Sequence, residues 1–348
     1  MTLPTRPDLT TAAPEVRAYI EALEAELDHQ QSFAPTAAPE PPAAPLEPSE
    51  LPTTINLVTI SAHGLAKRTP RHLYDRQRRG GMGIFDLETS DPDRPSLLAA
   101  LDETHDLIVF TTHARAFRVP ISRLTAQPVR ARGQALLTDV TLQPDEDIVS
   151  VLPAGRGVSL TLLSLSGYAR VLPAHIVGPA TTPGASLYRY ADFGPLAAAC
   201  WTSGAGDLFV ASERGIAIRF PERALPLPGG LALRLESGDR AVAVEGVRPP
   251  DGEAIFLVGA DGRGTIRLMS GFAANKAPGG GGKTAFKTDR LIGAVAVQPS
   301  DDLFIISQLG KIIRFRSDEV PPKEGVVQGV NCMALRGDEC VAVTASGT

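Results

Sequence analysis

The segment Gln77-Arg-Arg-Gly-Gly-Met-Gly83 sets two adjacent guanidinium groups among three glycines. Its chemistry is anion binding. Gly80, Gly81 and Gly83 let a loop adopt positive φ and bring backbone N–H groups close to an anion. Arg78 and Arg79 reach phosphates in bidentate fashion. Gln77 can bond to backbone or base edges. The bland reading is a turn whose glycines serve geometry alone. A second glycine-rich loop, Ala277-Pro-Gly-Gly-Gly-Gly282-Lys283-Thr284, fits a relaxed nucleotide-binding pattern. A true P-loop follows a strand and opens a helix. Here Leu291–Val297 reads as strand soon afterwards. Gly279 lies 12 residues after Arg267, as Gly80 lies 12 after Arg68. This loop therefore reads as a repeat of the first, with Lys276, Lys283 and Lys287 adding charge.

Other chemistry is not supported. The six histidines show no metal-ligand spacing, and Cys200, Cys332 and Cys340 are odd in number and form no CxxC. Neither a metal nor another cofactor is expected, nor a catalytic site. The thiols fit a reducing cytoplasm. No signal peptide and no apolar run of membrane-spanning length (about 18 residues) is read, so no membrane partner is expected. The net charge of −5 argues at first against nucleic acid. However, residues 1–52 hold nine acids and two bases, which leaves 32 bases against 30 acids beyond them. Around the first loop, Lys67, Arg68, Arg71, Arg76, Arg78 and Arg79 face only Asp75. A local cluster of this kind sets the potential at close range.

The elements that must position these residues repeat along the chain. Each unit has an apolar run, a small turn and a second run carrying a basic residue. The runs Leu57–Ile60, Leu107–Phe110, Leu160–Leu163, Leu208–Ala211, Ile255–Val258 and Leu303–Ile306 open the units. The register arginines Arg68, Arg118, Arg170, Arg219, Arg267 and Arg314 follow at spacings of 50, 52, 49, 48 and 47 residues. The apolar runs do not alternate, which marks strands covered on both faces. Strand-like segments such as Asp147–Leu152 and Asp239–Glu245 bring each unit to about four strands. Six such units predict an all-β, six-bladed propeller over 53–348.

Residues 1–33 form a separate N-terminal segment. Within it Pro14, Glu15 and the stripe Val16, Ile20, Leu23 and Leu27 predict a helix over 14–31. Residues 34–52, with seven prolines and five alanines, read as a disordered linker.

Basic residues at one register would form a ring following a bent duplex through its phosphates. The alternative is that each register arginine pairs with a local carboxylate such as Glu222 or Asp318. Arg115, Arg123, Arg130, Arg132, Lys311 and Arg316 are further candidate contacts.

The loop 77–83 resembles the seven-residue box of the DNA gyrase A C-terminal domain, as do Lys67-Arg-Thr-Pro70, Tyr74 and the closing Gln328-Gly-Val330. The resemblance covers roughly 54–346. Met82 departs from it, because the family has Lys or Arg there. The resemblance implies a β-pinwheel propeller that binds and wraps double-stranded DNA around its rim without catalysis. It also implies components of gyrase or topoisomerase IV as partners and a nucleoid-associated, cytoplasmic location. Only 52 residues precede the propeller, so DNA cleavage is not expected from this chain. Candidate DNA contacts are Lys67, Arg68, Arg71, Gln77, Arg78, Arg79, Gly80, Gly81, Gly83, Arg118, Arg170, Arg219, Arg267, Lys283 and Arg314. A protein-interaction propeller that has lost wrapping is the competing reading.

Overall fold

The computed structural model describes residues 9, 13–32, 50–138, 140–248, 254–275 and 277–347. The chain divides into two units, Met1–Glu47 and Pro48–Thr348. In the first, a helix spans Pro14–Ser32. The Ala13 carbonyl accepts the Val16 and Arg17 N–H groups, and Arg17 Nε donates to the Leu9 carbonyl at 3.2 Å. Val16, Tyr19 and Leu23 on this helix are exposed. Most of the proline-rich stretch lies outside the described residues.

The second unit is a six-bladed propeller. Each blade takes three long strands from its own repeat. Blade 1 is built from Ile55–Ser61, Leu65–Pro70 and Pro95–Asp102, and blade 2 from Asp106–Thr111, Arg115–Pro120 and Ile148–Pro153. Blade 3 comprises Ser159–Ser164, Tyr168–Pro173 and Leu196–Thr202, and blade 4 Asp207–Ser212, Ile216–Pro221 and Ala241–Val247. Ala254–Gly259, Arg263–Leu268 and Leu291–Val297 form blade 5, and Asp302–Ser307, Lys311–Arg316 and Cys340–Ser346 form blade 6. The last strand named in each blade lines a central cavity of about 590 Å³.

The first strand of every blade is the most deeply buried. Its mainly apolar run is covered on both faces by neighbouring blades, which is why no alternation shows in the sequence. Phe209, Phe256 and Phe304 occupy one position on three of these strands and are fully buried. Each such side chain contributes about 2–3 kcal/mol of burial.

The outermost strand of each blade comes from the next repeat. Gln134–Ala135 joins blade 1, Ala185–Ser186 blade 2, Gly230–Leu231 blade 3 and Lys283–Thr284 blade 4. Blade 5 receives Pro322–Lys323 and Val330–Asn331. The ring closes because Ile84–Phe85, from the first repeat, pairs with Ile312 and Lys311 of blade 6.

Candidate nucleic-acid interface

The box loop occupies this closure. Gln77 N–H donates to the Arg314 carbonyl and Gly80 N–H to the Cys332 carbonyl, both at 2.8 Å. The Gly81 carbonyl accepts Ala334 N–H at 2.9 Å. Gly83 sits at φ 71°, and a Cβ there would stand 2.6 Å from the Ile312 carbonyl oxygen. Only glycine fits that approach. Arg79 faces inward along the seam. Its N–H donates to Glu319 Oε2 at 2.9 Å, and its Nε and Nη1 donate to the carbonyls of Glu319 and Asn331 at 2.8 and 3.2 Å. The Arg78 side chain is exposed and has no hydrogen-bond or ion-pair partner among the described residues. Met82 is also exposed. Of the two adjacent arginines, one closes the ring and the other faces solvent.

The glycine-rich loop of the fifth repeat has the same geometry. Asn275 N–H donates to the Arg219 carbonyl, and Gly279 N–H to that of Ala232. A Cβ on Gly282, at φ 69°, would lie 2.6 Å from the Ala217 carbonyl oxygen. A strand follows this loop, not a helix. Lys283 is exposed with its Nζ 4.3 Å from the centre of the Phe272 ring, and Lys287 is exposed. Lys276 lies outside the described residues.

Lys67 and Arg71, read from the sequence as phosphate contacts, are buried. Lys67 Nζ meets Asp86 Oδ1 and the Val129 carbonyl. Tyr74 and Thr59 donate their hydroxyls to the same Asp86 carboxylate at 2.6 and 2.7 Å. Burial pulls the Lys67 amine below its ordinary value, against the pull of Asp86, and pushes the Tyr74 phenol well up. Arg71 bonds Glu50, Ser346 Oγ and the Gly347 carbonyl.

The register arginines do not form one solvent-facing ring. Four share a register: Arg68, Arg118, Arg219 and Arg314 stand opposite Val58, Ile108, Phe209 and Phe304. Each reaches across the seam to the corner turn of the next blade. Arg68 Nη1 donates to the carbonyls of Ile121 and Leu124, and Arg118 Nη1 to that of Val177. Arg219 Nη1 donates to Met269 and Phe272 at 2.8 and 3.2 Å. Arg314 Nη1 donates to Arg71 and Tyr74 at 3.1 and 2.9 Å, closing the circle. Arg219 and Arg314 are buried, while Arg68 and Arg118 are half-buried.

Each of the four also meets a residue twelve positions earlier on the paired strand. These partners are Asn56 at 3.0 Å, Asp106 at 2.5 Å, Asp207 at 2.8 Å and Asp302 at 2.5 Å. Blades 3 and 5 lack the pair. Their equivalent positions hold Ser159 with Val171 and Ala254 with Ile266. Arg170 is one residue before that register and Arg267 one after it. A shift of one residue moves a strand side chain to the other face. Arg170 bonds the Leu187 carbonyl and Arg267 the Gly271 carbonyl, and each keeps a buried Nε without a partner among the described residues. Desolvation pulls the Arg267 guanidinium below its ordinary value.

The seams that lack this arginine use the first residue of the corner turn. Glu222 accepts Thr202 Oγ1 at 2.7 Å and Gly204 N–H at 3.1 Å, and Ser317 Oγ donates to the Gln298 carbonyl at 2.9 Å. Thus Glu222, read as a partner for a register arginine, holds a seam by itself. Asp318 pairs with Arg316, not with Arg314.

Arg115 meets Glu146 at 3.2 Å and Arg130 meets Glu88 at 2.8 Å. The side chains of Arg132 and Lys323 are exposed and unpartnered among the described residues. Lys323 carries no repeat signal in the sequence, because only the donated-strand pairing shows that it stands at a blade edge. Among the described residues no cluster of His, Cys, Asp and Glu could hold a metal ion, and no helix is long and apolar enough to cross a membrane.

The pattern of the family described as DNA gyrase C-terminal domain, beta-propeller, matches residues 56–94, 105–154, 206–247 and 301–345. These are blades 1, 2, 4 and 6, the four that carry the paired arginine. The DNA gyrase A protein of Kosmotoga olearia is 25% identical over 299 residues, covering 82% of this chain and 37% of that protein. Its counterpart in Staphylococcus aureus (strain MRSA252) is 25% identical over 303 residues, covering 83% and 34%. The chain therefore spans about a third of the length of these relatives. A solved DNA gyrase A C-terminal domain superposes with a TM-score of 0.72 at 19% identity, covering 84% of this chain and 99% of that one. The C-terminal domain of DNA topoisomerase IV gives 0.58 at 16% identity, covering 85% and 94%. These likenesses show the same propeller. Pattern, relatives and architecture agree, and the chain belongs to the DNA gyrase C-terminal domain family of β-propellers.

Proposed function

We propose that this propeller binds double-stranded DNA along its rim through phosphate contacts and bends it. It performs no catalysis and serves as an accessory to a DNA gyrase or topoisomerase IV assembly in the nucleoid. The observation that carries this reading is Arg78. Its guanidinium stands exposed and unpartnered among the described residues, on a loop that backbone hydrogen bonds fix to the ring closure. A guanidinium so placed has no structural task and is pre-organised for a phosphate. Arg132, Lys283, Lys287 and Lys323 are exposed on the same family of edge loops and strands. Arg68, Arg118 and the buried arginines hold the blades in register beneath them. Bending a site of 20–30 base pairs costs about 1–6 kcal/mol, which several phosphate contacts offset.

The test is affinity for a duplex of about 150 base pairs, one persistence length of DNA, against one of about 20, over a salt series. The expected result is tighter binding to the long duplex and a steep negative salt slope. Arg78→Ala with Arg132→Ala should weaken binding without changing the melting temperature. Absence of binding at low salt would overturn the reading and direct attention to protein partners.

A further inference from the structure

Phe85 follows the box on the donated strand and is 54% exposed. Cations gather around its ring. The Lys311 ammonium stands 5.4 Å and the Arg130 guanidinium 5.9 Å from the ring centroid. Both distances lie within the range of cation–π attraction, about 6 Å. The ring, Arg130, Arg132 and Leu309 line a groove of about 550 Å³ at the blade edge. The acid in this groove, Glu88, is taken by Arg130 at 2.8 Å. Arg132 and Lys311 are left without a carboxylate partner among the described residues.

A protein partner with an apolar patch would match the ring but would desolvate these cations without a counter-charge, which is costly. A surface that alternates negative charge with apolar walls matches both features. The minor groove of a bent duplex is such a surface, with phosphates on its edges and sugar and base between them. Proteins that bend DNA press apolar side chains into that groove. We infer that Phe85 is an apolar contact to the minor groove, seated between phosphates held by Lys311 and Arg132. The inference rests on the rim-binding reading above.

The test compares the full chain with its Phe85→Ala, Phe85→Trp and Lys311→Gln variants on a duplex of about 150 base pairs, the length used above, over a salt series. Melting temperatures serve as the control for folding. Phe85→Ala should weaken binding roughly five- to tenfold, the low end of what aromatic contacts to bases contribute. It should leave the salt slope unchanged, because an apolar contact releases no counterion. Phe85→Trp should keep the affinity. Lys311→Gln should reduce the slope by about one. If the unaltered protein does not bind, the rim-binding reading falls. If it binds and Phe85→Ala binds equally well, or loses affinity only through a reduced salt slope, the Phe85 inference falls while rim binding stands.

Discussion

Asp207 and Arg219 are twelve residues apart in sequence and 2.8 Å apart across the first hairpin of blade 4. Asp207 aims the Arg219 guanidinium so that Nη1 meets two carbonyls of the blade 5 corner turn. Truncating one member of a largely buried ion pair costs about 3–5 kcal/mol. Asp207→Ala should therefore lower stability by roughly 3 kcal/mol in urea unfolding. The double variant Asp207→Ala with Arg219→Met should recover most of that loss. A double variant no more stable than the single one would show that the carbonyl bonds, not the ion pair, set the cost.

At the closing seam, Glu50 joins Arg71 and Arg314, and Asp302 joins Arg76 and Arg314. Burial pushes both carboxyls up, but the guanidinium hydrogen bonds outweigh it and hold them below their ordinary values of 4.5 and 3.8. A depressed carboxyl stabilises the fold above its unfolded value and loses that contribution as pH falls through the folded one. Stability should therefore fall as pH drops below about 4.5. Glu50→Gln should cost roughly 1.5–3 kcal/mol near neutrality. The gap between the two proteins should shrink in acid. Unfolding curves at pH 7 and pH 3 would decide, and a constant gap would sink the assignment.

Gly83→Ala places a Cβ 2.6 Å from the Ile312 carbonyl oxygen at a left-handed φ. The conformation alone costs a non-glycine residue about 1–2 kcal/mol. The expected result is a lower melting temperature and faster amide exchange at Ile84 and Phe85, where the donated strand loosens from blade 6. The same substitution at Gly81 meets the far end of the flexible Gln77 side chain at 2.8 Å and should be milder.

Cys200, Cys332 and Cys340 are all buried. Burial pushes their thiols up, that of Cys332 to about 12. Thiolate is the reacting form, so none should react with a disulfide reagent at neutral pH in the folded protein. All three should react once the protein is unfolded. Rapid labelling of the native chain would contradict the burial of the thiols.

The blade count was legible in the sequence because one strand per repeat is buried on both faces and cannot alternate. The donated outer strands were not, since two-residue pairings such as Ile84 with Ile312 leave no periodic trace. The register arginines are visible in the sequence, but their places are not. Spacing near 50 could not separate Arg170 and Arg267 from the four that share a register, because one residue of slip is invisible without the pairing. The signal that separates them is the Asp or Asn twelve positions earlier, present before Arg68, Arg118, Arg219 and Arg314. Glycine content located the box and its copy in the fifth repeat. It could not say which of Arg78 and Arg79 is spent on the ring, a choice made by Glu319 and Asn331 on a distant repeat.

The pairing of Ile84–Phe85 with Lys311 and Ile312 also has a consequence in time. A ribosome makes the box strand long before its partner. At about 5–20 residues per second, the intervening repeats take on the order of ten to fifty seconds to emerge. Throughout that interval the strand that follows the box has no sheet to join, and the nascent propeller is an open arc with an unpaired edge. Premature termination before residue 311 would make that state permanent and leave an edge prone to pair with other chains.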